Sequence, residues 1–145
     1  MNRMAPDFEL PDQHGTPVRL SGLRGSRVLL IFYPVAFSGV CRGELAQVRD
    51  ELIPQLPADV RVLGVSVDSM FAQRAWAEQE GYEFPLLSDF WPHGQVAQAY
   101  GVFDEKRGLA KRGTFLIDGE GVIRWSVVNP ISSARDVADY LKALS

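Results

Sequence analysis

Cysteine is almost absent from this chain. Cys41 is the only one in 145 residues. A single cysteine excludes an internal disulfide, and with it the disulfide framework of a small secreted domain. It also excludes Cys-x-x-Cys redox chemistry. Histidine is nearly as scarce: His14 and His93 are far apart, and neither stands at metal-ligand spacing with Cys41. No metal site and no cofactor is therefore expected. His14 precedes Gly15 in a predicted turn and His93 follows Pro92 at a predicted helix start, so both read as surface or capping residues. No apolar run approaches the ~20 residues of a membrane span. The opening segment, Met1 to Pro6, lacks the apolar core of a signal peptide. Nor is there a basic surplus: 15 Lys and Arg stand against 18 Asp and Glu, a formal net charge of −3. Without that surplus nucleic acid is not expected as a partner. Together these absences predict a cytoplasmic protein in a reducing compartment, with no membrane association.

What remains is the make-up of an ordinary folded domain. Hydrophobic residues form 46% of the chain and charged residues 23%, and the length predicts one domain over 1–145. Phe8-Glu9-Leu10 and Pro17-Val18-Arg19-Leu20 flank Asp12-Gln13-His14-Gly15, which predicts a hairpin. Leu23 to Ser26 reads as a turn. The apolar run 28–33 predicts a buried central strand. Over 40–52, Leu45, Val48 and Leu52 share one helical face, and Pro54 and Pro57 end the helix. Val60 to Val67 predicts a second buried strand, completing a parallel crossover unit. Asp68-Ser69 reads as the cap of a helix over 70–80 that stops at Gly81. Phe84 to Leu87 predicts an edge strand, since Pro85 cannot donate to a ladder. A short helix over 96–100 closes at Gly101. Segments 114–118 and 122–127 flank Gly119-Glu120-Gly121 as a hairpin. An amphipathic helix over 133–144 turns Val137, Tyr140, Leu141 and Leu144 inward. No repeat, linker or low-complexity tract interrupts this order. The fold class is α/β, with a mixed central sheet, helices on both faces and an N-terminal β-hairpin. That arrangement is compatible with a thioredoxin-like architecture.

The chemistry-bearing stretch is Pro34 to Cys41, between the first buried strand and the helix at 40–52. Cys41 falls in the first helical turn, where unpaired N–H groups and the helix dipole favour a thiolate. Ionisation alone explains little of any rate gain. A thiol of ordinary pKa, ~8.5, is roughly 3% ionised at pH 7, so full ionisation gains about 30-fold. Lowering the pKa by ~2.5 units weakens the nucleophile about 10-fold. The two effects nearly cancel, so a fast reaction needs fixed donors for a particular electrophile. Ser38 Oγ and the backbone N–H groups of the turn are the local candidates. Pro34 ends the strand ladder, Gly39 is free to take a positive φ, and Phe37 is placed to shield the thiol. The residues by themselves leave two readings open: a nucleophile, or a buried structural cysteine under a strand-to-helix turn.

Pro34-x-x-x-Ser38-x-x-Cys41 resembles the active-site signature of the peroxiredoxins, Pro-x-x-x-Thr/Ser-x-x-Cys. The likeness runs on through Phe8-Glu9-Leu10 with Gly15 and Val18, through Glu44, and through Arg112-Gly113-Thr114-Phe115-Leu116-Ile117-Asp118. Ala36 to Cys41, Phe84 to Gly94 and Ala99 to Phe103 resemble the one-cysteine type represented by alkyl hydroperoxide reductase E. The resemblance implies that Cys41 is the peroxidatic thiolate, which attacks a peroxide oxygen and becomes a sulfenic acid. It implies that Ser38 holds the peroxide, that Pro34 shields the sulfur, and that Arg112 stabilises the thiolate and the developing charge on the leaving oxygen. Hydrogen peroxide, alkyl hydroperoxides and peroxynitrite are the implied substrates, with a lean toward the larger ones. Two departures matter. Many members have threonine at the position of Ser38, and serine loses the methyl that restricts its rotamer. Many also carry a resolving cysteine, which this chain lacks, and a homodimeric partner would offer only another Cys41. The implied reductant is thus an outside thiol: a low-molecular-weight thiol with a glutaredoxin-like partner (mycothiol with mycoredoxin), or thioredoxin. A homodimer is the implied assembly.

Three residues keep two readings each. Glu44 either orients an arginine near the thiol or is a favourable charge in the first helical turn. Trp91 and Phe90 either cover the site or a dimer contact, or pack in the core. Tyr33 reads as strand packing. The competing function is a non-enzymatic redox sensor or client-binding module on the same scaffold.

Overall fold

A computed structural model describes residues 3–129 and 137–144. The chain opens with β1 (Arg3–Met4), then a hairpin of β2 (Glu9–Pro11) and β3 (Pro17–Arg19) and a 3-10 turn at Leu20–Leu23. There follow β4 (Arg27–Phe32), α1 (Gly39–Gln47), β5 (Val60–Ser66), α2 (Met70–Glu80), β6 (Leu86–Ser88) and α3 (Gln95–Ala99). A small hairpin, β7 (Phe103–Asp104) and β8 (Leu109–Ala110), leads to β9 (Arg112–Ile117), β10 (Val122–Asn129) and α4 (Val137–Leu144).

The main sheet has the strand order β1-β10-β9-β4-β5-β6. β4, β5 and β6 run parallel; β9 is antiparallel to both β4 and β10. The sheet is therefore mixed, as expected, with β6 at one edge. Alternation along the strands divides the core. Leu29, Ile31, Val62 and Leu116 join Leu45, Val48, Trp76 and Tyr140 on the face covered by α1, α2 and α4. Leu30, Phe32, Leu63 and Phe115 join Leu10, Leu20, Val96 and Tyr100 on the face covered by α3 and the N-terminal hairpin. Gln13, buried, ties that hairpin to the sheet edge: its Nε2 donates to the Phe84 carbonyl at 3.1 Å and its Oε1 accepts from Leu86 N at 2.8 Å. A side chain thus supplies the hydrogen bonds an edge strand would otherwise leave open.

Several elements differ from expectation. The segment predicted as one helix over 40–52 is α-helical only to Gln47, widens to a π-type turn at Val48–Leu52 and tightens to a 3-10 turn at Ile53–Gln55. Pro54 lies within that last turn and does not stop it, because a proline at a first helical position gives up no bond. Leu45, Val48 and Leu52 are nevertheless all buried. β1, β7 and β8 were invisible to periodicity, being two residues each. Of the helix predicted over 133–144, residues 133–136 lie outside the described residues. In α4, Val137, Tyr140 and Leu144 are buried and Leu141 packs partly buried against the core.

Candidate active site

Cys41 lies in the first turn of α1, fully buried and in no disulfide. Ser38 is the N-cap: its backbone is extended and its Oγ accepts from Cys41 N at 3.3 Å. The hydroxyl spends a lone pair on the helix and keeps its own proton to donate. Pro34 is buried where the chain leaves β4.

The positive φ expected at Gly39 belongs to Phe37, at 68°. Gly39 starts the helix, with open space where a side chain would stand. A left-handed non-glycine residue costs on the order of 1–3 kcal/mol and persists only where its surroundings hold it. Here the Phe37 ring lies 6.0 Å from Trp76, which in turn lies 5.5 Å from Tyr33 and 5.1 Å from Tyr82. Phe37 is half-exposed, so it covers the site only in part.

Tyr33, wholly buried, donates to Gln73 Oε1, while Gln73 Nε2 donates to the Leu87 carbonyl at 2.6 Å. Burial holds the Tyr33 phenol well above its ordinary range. Burial, aided by the Glu80 charge, pushes Tyr82 to about 12. Both are neutral donors at pH 7, which leaves Tyr33 a packing and bonding residue and no base. Trp76 Nε1 is buried and meets no hydrogen-bond partner among the described residues.

Arg112 reaches this region through strand register. Ile31 of β4 pairs with Thr114 of β9. Two residues further along antiparallel strands, Arg112 stands level with Tyr33 at the C-terminal end of β4. Even-numbered β9 residues face α1 and α4, as Leu116 does in the core and Thr114 does through Tyr140 Oη at 3.2 Å. Arg112 is 2% exposed, and its Nη1 donates to Glu44 Oε1. Glu44 is one helical turn beyond Cys41, a spacing that brings Cβ atoms within about 5–6 Å. Arg112 is therefore a buried, paired charge, and Glu44 orients it rather than standing as a surface charge of the first helical turn.

Two expectations need correction. Trp91 and Phe90 do not pack in the core; they are 80% and 52% exposed. The reason is Asp89, whose buried carboxylate accepts from Val96 N at 3.1 Å and Ala97 N at 2.9 Å, drawing the chain inward there and turning its neighbours out. Asp68 does not cap α2. Ser69 does, accepting from Ala72 N at 3.2 Å, while Asp68 turns back toward the Cys41 loop. Sequence reasoning missed Gln73, Trp76 and Tyr82, which carry no motif; of the pair Asp68-Ser69 expected to cap α2, Ser69 does so and Asp68 does not. His14 lies in an exposed turn, and His93 Nε2 bonds the Gly108 carbonyl at 2.7 Å. Among the described residues no group of three or more His, Cys, Asp and Glu side chains is placed to hold a metal ion.

A buried thiol at a helix N-terminus, a capping hydroxyl, and a buried guanidinium bonded to Glu44 one turn further on are the kinds of group that nucleophilic attack by sulfur, with stabilisation of a leaving anion, requires. Known proteins share this chain's sequence and shape. The sequence model described as the AhpC/TSA family matches residues 1–126. Alkyl hydroperoxide reductase E of Mycobacterium tuberculosis (strain ATCC 25618 / H37Rv) is 49% identical over 142 residues, covering 97% of this chain and 93% of that protein. The crystal structure of Enterococcus faecalis AhpC superposes with a TM-score of 0.90 at 31% identity, covering 99% of this chain and 89% of that one. Peroxidoxin BcpB from Mycobacterium tuberculosis superposes with a TM-score of 0.83 at 36% identity, over 99% of this chain and 92% of that one.

Proposed function

The chain belongs to the AhpC/TSA family, the peroxiredoxins, and on that premise we propose how its residues perform the family's thiol-dependent peroxidase reaction. The Cys41 thiolate attacks one oxygen of the hydroperoxide. The S–O bond forms as the O–O bond breaks; sulfur is oxidised to a sulfenic acid, and the second oxygen leaves as an alkoxide or hydroxide that takes a proton. Ser38 donates its hydroxyl proton to the bound peroxide while its oxygen keeps the cap on Cys41 N. Arg112, held by Glu44, faces the negative charge that develops on the leaving oxygen. Pro34 closes the sulfur off from water. The observation that supports this reading is a buried free thiol with Ser38 capping its backbone N–H and the buried Arg112–Glu44 pair one helical turn further along.

The second half of the cycle needs another molecule. One external thiol condenses with the sulfenic acid, releasing water and leaving a mixed disulfide; a second thiol releases Cys41. Mycothiol with mycoredoxin, or thioredoxin, is the proposed reductant, and large alkyl hydroperoxides or peroxynitrite are favoured over hydrogen peroxide. A cytoplasmic location agrees with a catalytic thiol that must be kept reduced; no helix among the described residues is long and apolar enough to cross a membrane. Family membership favours turnover over the sensor reading.

A homodimer completes the proposal. Because β4, β5 and β6 are parallel, the segments after their C-terminal ends lie along one edge. Those segments carry Phe37, Phe71, Phe90 and Trp91, all at least half exposed. Exposed aromatics gathered in this way mark an interaction face.

The test is stoichiometric. Addition of one equivalent of hydroperoxide yields one sulfenic acid per chain by trapping and mass spectrometry, and none in Cys41→Ser. Absence of sulfenic acid in the parent chain overturns the reading.

A further inference from the structure

We propose that Asp68 is a positioning residue for the peroxide reaction: its carboxylate holds the Pro34–Ser38 loop in the conformation that sets Ser38 and Cys41. The inference rests on the peroxidase reading above and adds a residue to it.

A single oxygen, Asp68 Oδ2, accepts from Ala36 N at 2.7 Å and from Ser66 Oγ at 2.6 Å. Ser66 Oγ in turn accepts from Asp68 N at 3.3 Å, and the Asp68 carbonyl accepts from Ser88 Oγ at 2.7 Å. Ser66 is wholly buried and Ser88 nearly so. Asp68 is thus fixed to the C-terminal ends of β5 and β6 before it touches the loop. The loop needs such an anchor. Between Ala36, bound to Asp68, and Ser38, bound to Cys41 N, lies Phe37 with φ at 68°. A left-handed phenylalanine is held only if both flanks are pinned. The Ser38 cap pins one flank and Asp68 pins the other. Without Asp68, Phe37 relaxes toward ordinary backbone and the peptide leading into Ser38 turns, moving the hydroxyl and the first helical turn relative to Arg112. Displacement on the scale of an ångström costs up to about 100-fold in a positioned reaction. Intrinsic thiol reactivity has no such dependence.

The two bonds require an acceptor and no charge. Asparagine keeps an acceptor oxygen; alanine does not. The experiment compares the parent chain with Asp68→Ala, Asp68→Asn and Ser66→Ala. It measures two rate constants at Cys41: one with hydrogen peroxide, by sulfenic acid trapping, and one with iodoacetamide, which needs neither Ser38 nor Arg112. The expected result is that Asp68→Ala slows the peroxide reaction about 10-fold or more while alkylation stays within about threefold. Asp68→Asn stays within about threefold of the parent in both. Ser66→Ala, which strips one bond from the same oxygen, slows peroxide alone by about threefold, and it carries the test if Asp68→Ala does not fold by circular dichroism. A peroxide rate within twofold of the parent in Asp68→Ala, or equal slowing of both reactions, overturns the inference. So does an unchanged Ser66→Ala where Asp68→Ala is unfolded. A parent chain that forms no sulfenic acid overturns the peroxidase reading and this inference with it; a reacting parent beside an unaffected variant overturns the inference alone.

Discussion

Arg112 Nη1 donates to Glu44 Oε1 inside the core, with the two side chains only 2% and 4% exposed. The pair joins β9 to α1 across 68 residues of sequence and gives a counter-charge to a guanidinium that the chain would otherwise have to bury alone.

Breaking that pair destabilises the fold. Glu44→Ala removes the counter-charge of a buried guanidinium, and loss of one partner of a buried pair costs about 3–5 kcal/mol. Glu44→Gln keeps an acceptor and costs less. Urea unfolding at neutral pH reads the difference as a lower midpoint at unchanged slope. A loss below ~1 kcal/mol in Glu44→Ala would match an exposed pair and contradict the buried geometry.

Arg112→Ala slows peroxide attack beyond any effect on ionisation. Removing one donor aimed at a developing anion costs about 10²–10³-fold. The check is the rate constant at a pH where the thiol is fully ionised in both proteins. If the deficit vanishes there, Arg112 serves the ground-state thiolate and not the transition state.

Stability falls at alkaline pH. Burial raises the phenols of Tyr33, Tyr82 and Tyr100, with Tyr82 near 12. An unfolded tyrosine titrates near ~10, so the folded state binds more protons above that pH. The contribution is complete below about pH 10 and drains away above it, for Tyr82 as pH rises through about 12, by up to ~1.4 kcal/mol per pH unit for each tyrosine. Tyrosinate absorbance and circular dichroism, followed together, should change in one cooperative step. Gradual ionisation with the fold intact would show that these rings are reached by solvent.

The aromatic edge is the face that the proposed homodimer would use. On that proposal, replacing Phe71 and Trp91 by serine gives a monomer in sedimentation velocity where the parent chain is a dimer, with secondary structure unchanged, because both side chains are exposed in the single chain and hold no core. A double variant that sediments as the parent does would place the interface elsewhere.

Much of the fold was legible because burial writes a period into the sequence. The run 28–33 and Val60–Val67 read as buried strands and are so, and Ser69 and Gly81 bound α2 as their backbone preferences require. Elements of two residues carry no period and were missed. Trp91 and Phe90 misled because hydrophobicity does not say which of two adjacent side chains turns inward; Asp89 decided that, by capping α3 from within. The same limit hid the exchange of roles between Phe37 and Gly39, since composition favours glycine for a positive φ and only the anchored loop places it elsewhere.

The amino-acid sequence by itself determined that one thiol exists, that it stands after a buried strand and at the start of a helix, and that no second cysteine in the chain can resolve it. Those are facts of count and order. Only the tertiary structure decided what surrounds the sulfur. Arg112 meets Glu44 because antiparallel register sets β9 beside β4, and Asp68 reaches Ala36 because parallel β4 and β5 end at the same level. Distances between residues tens of positions apart follow from sheet pairing, which local propensity does not encode.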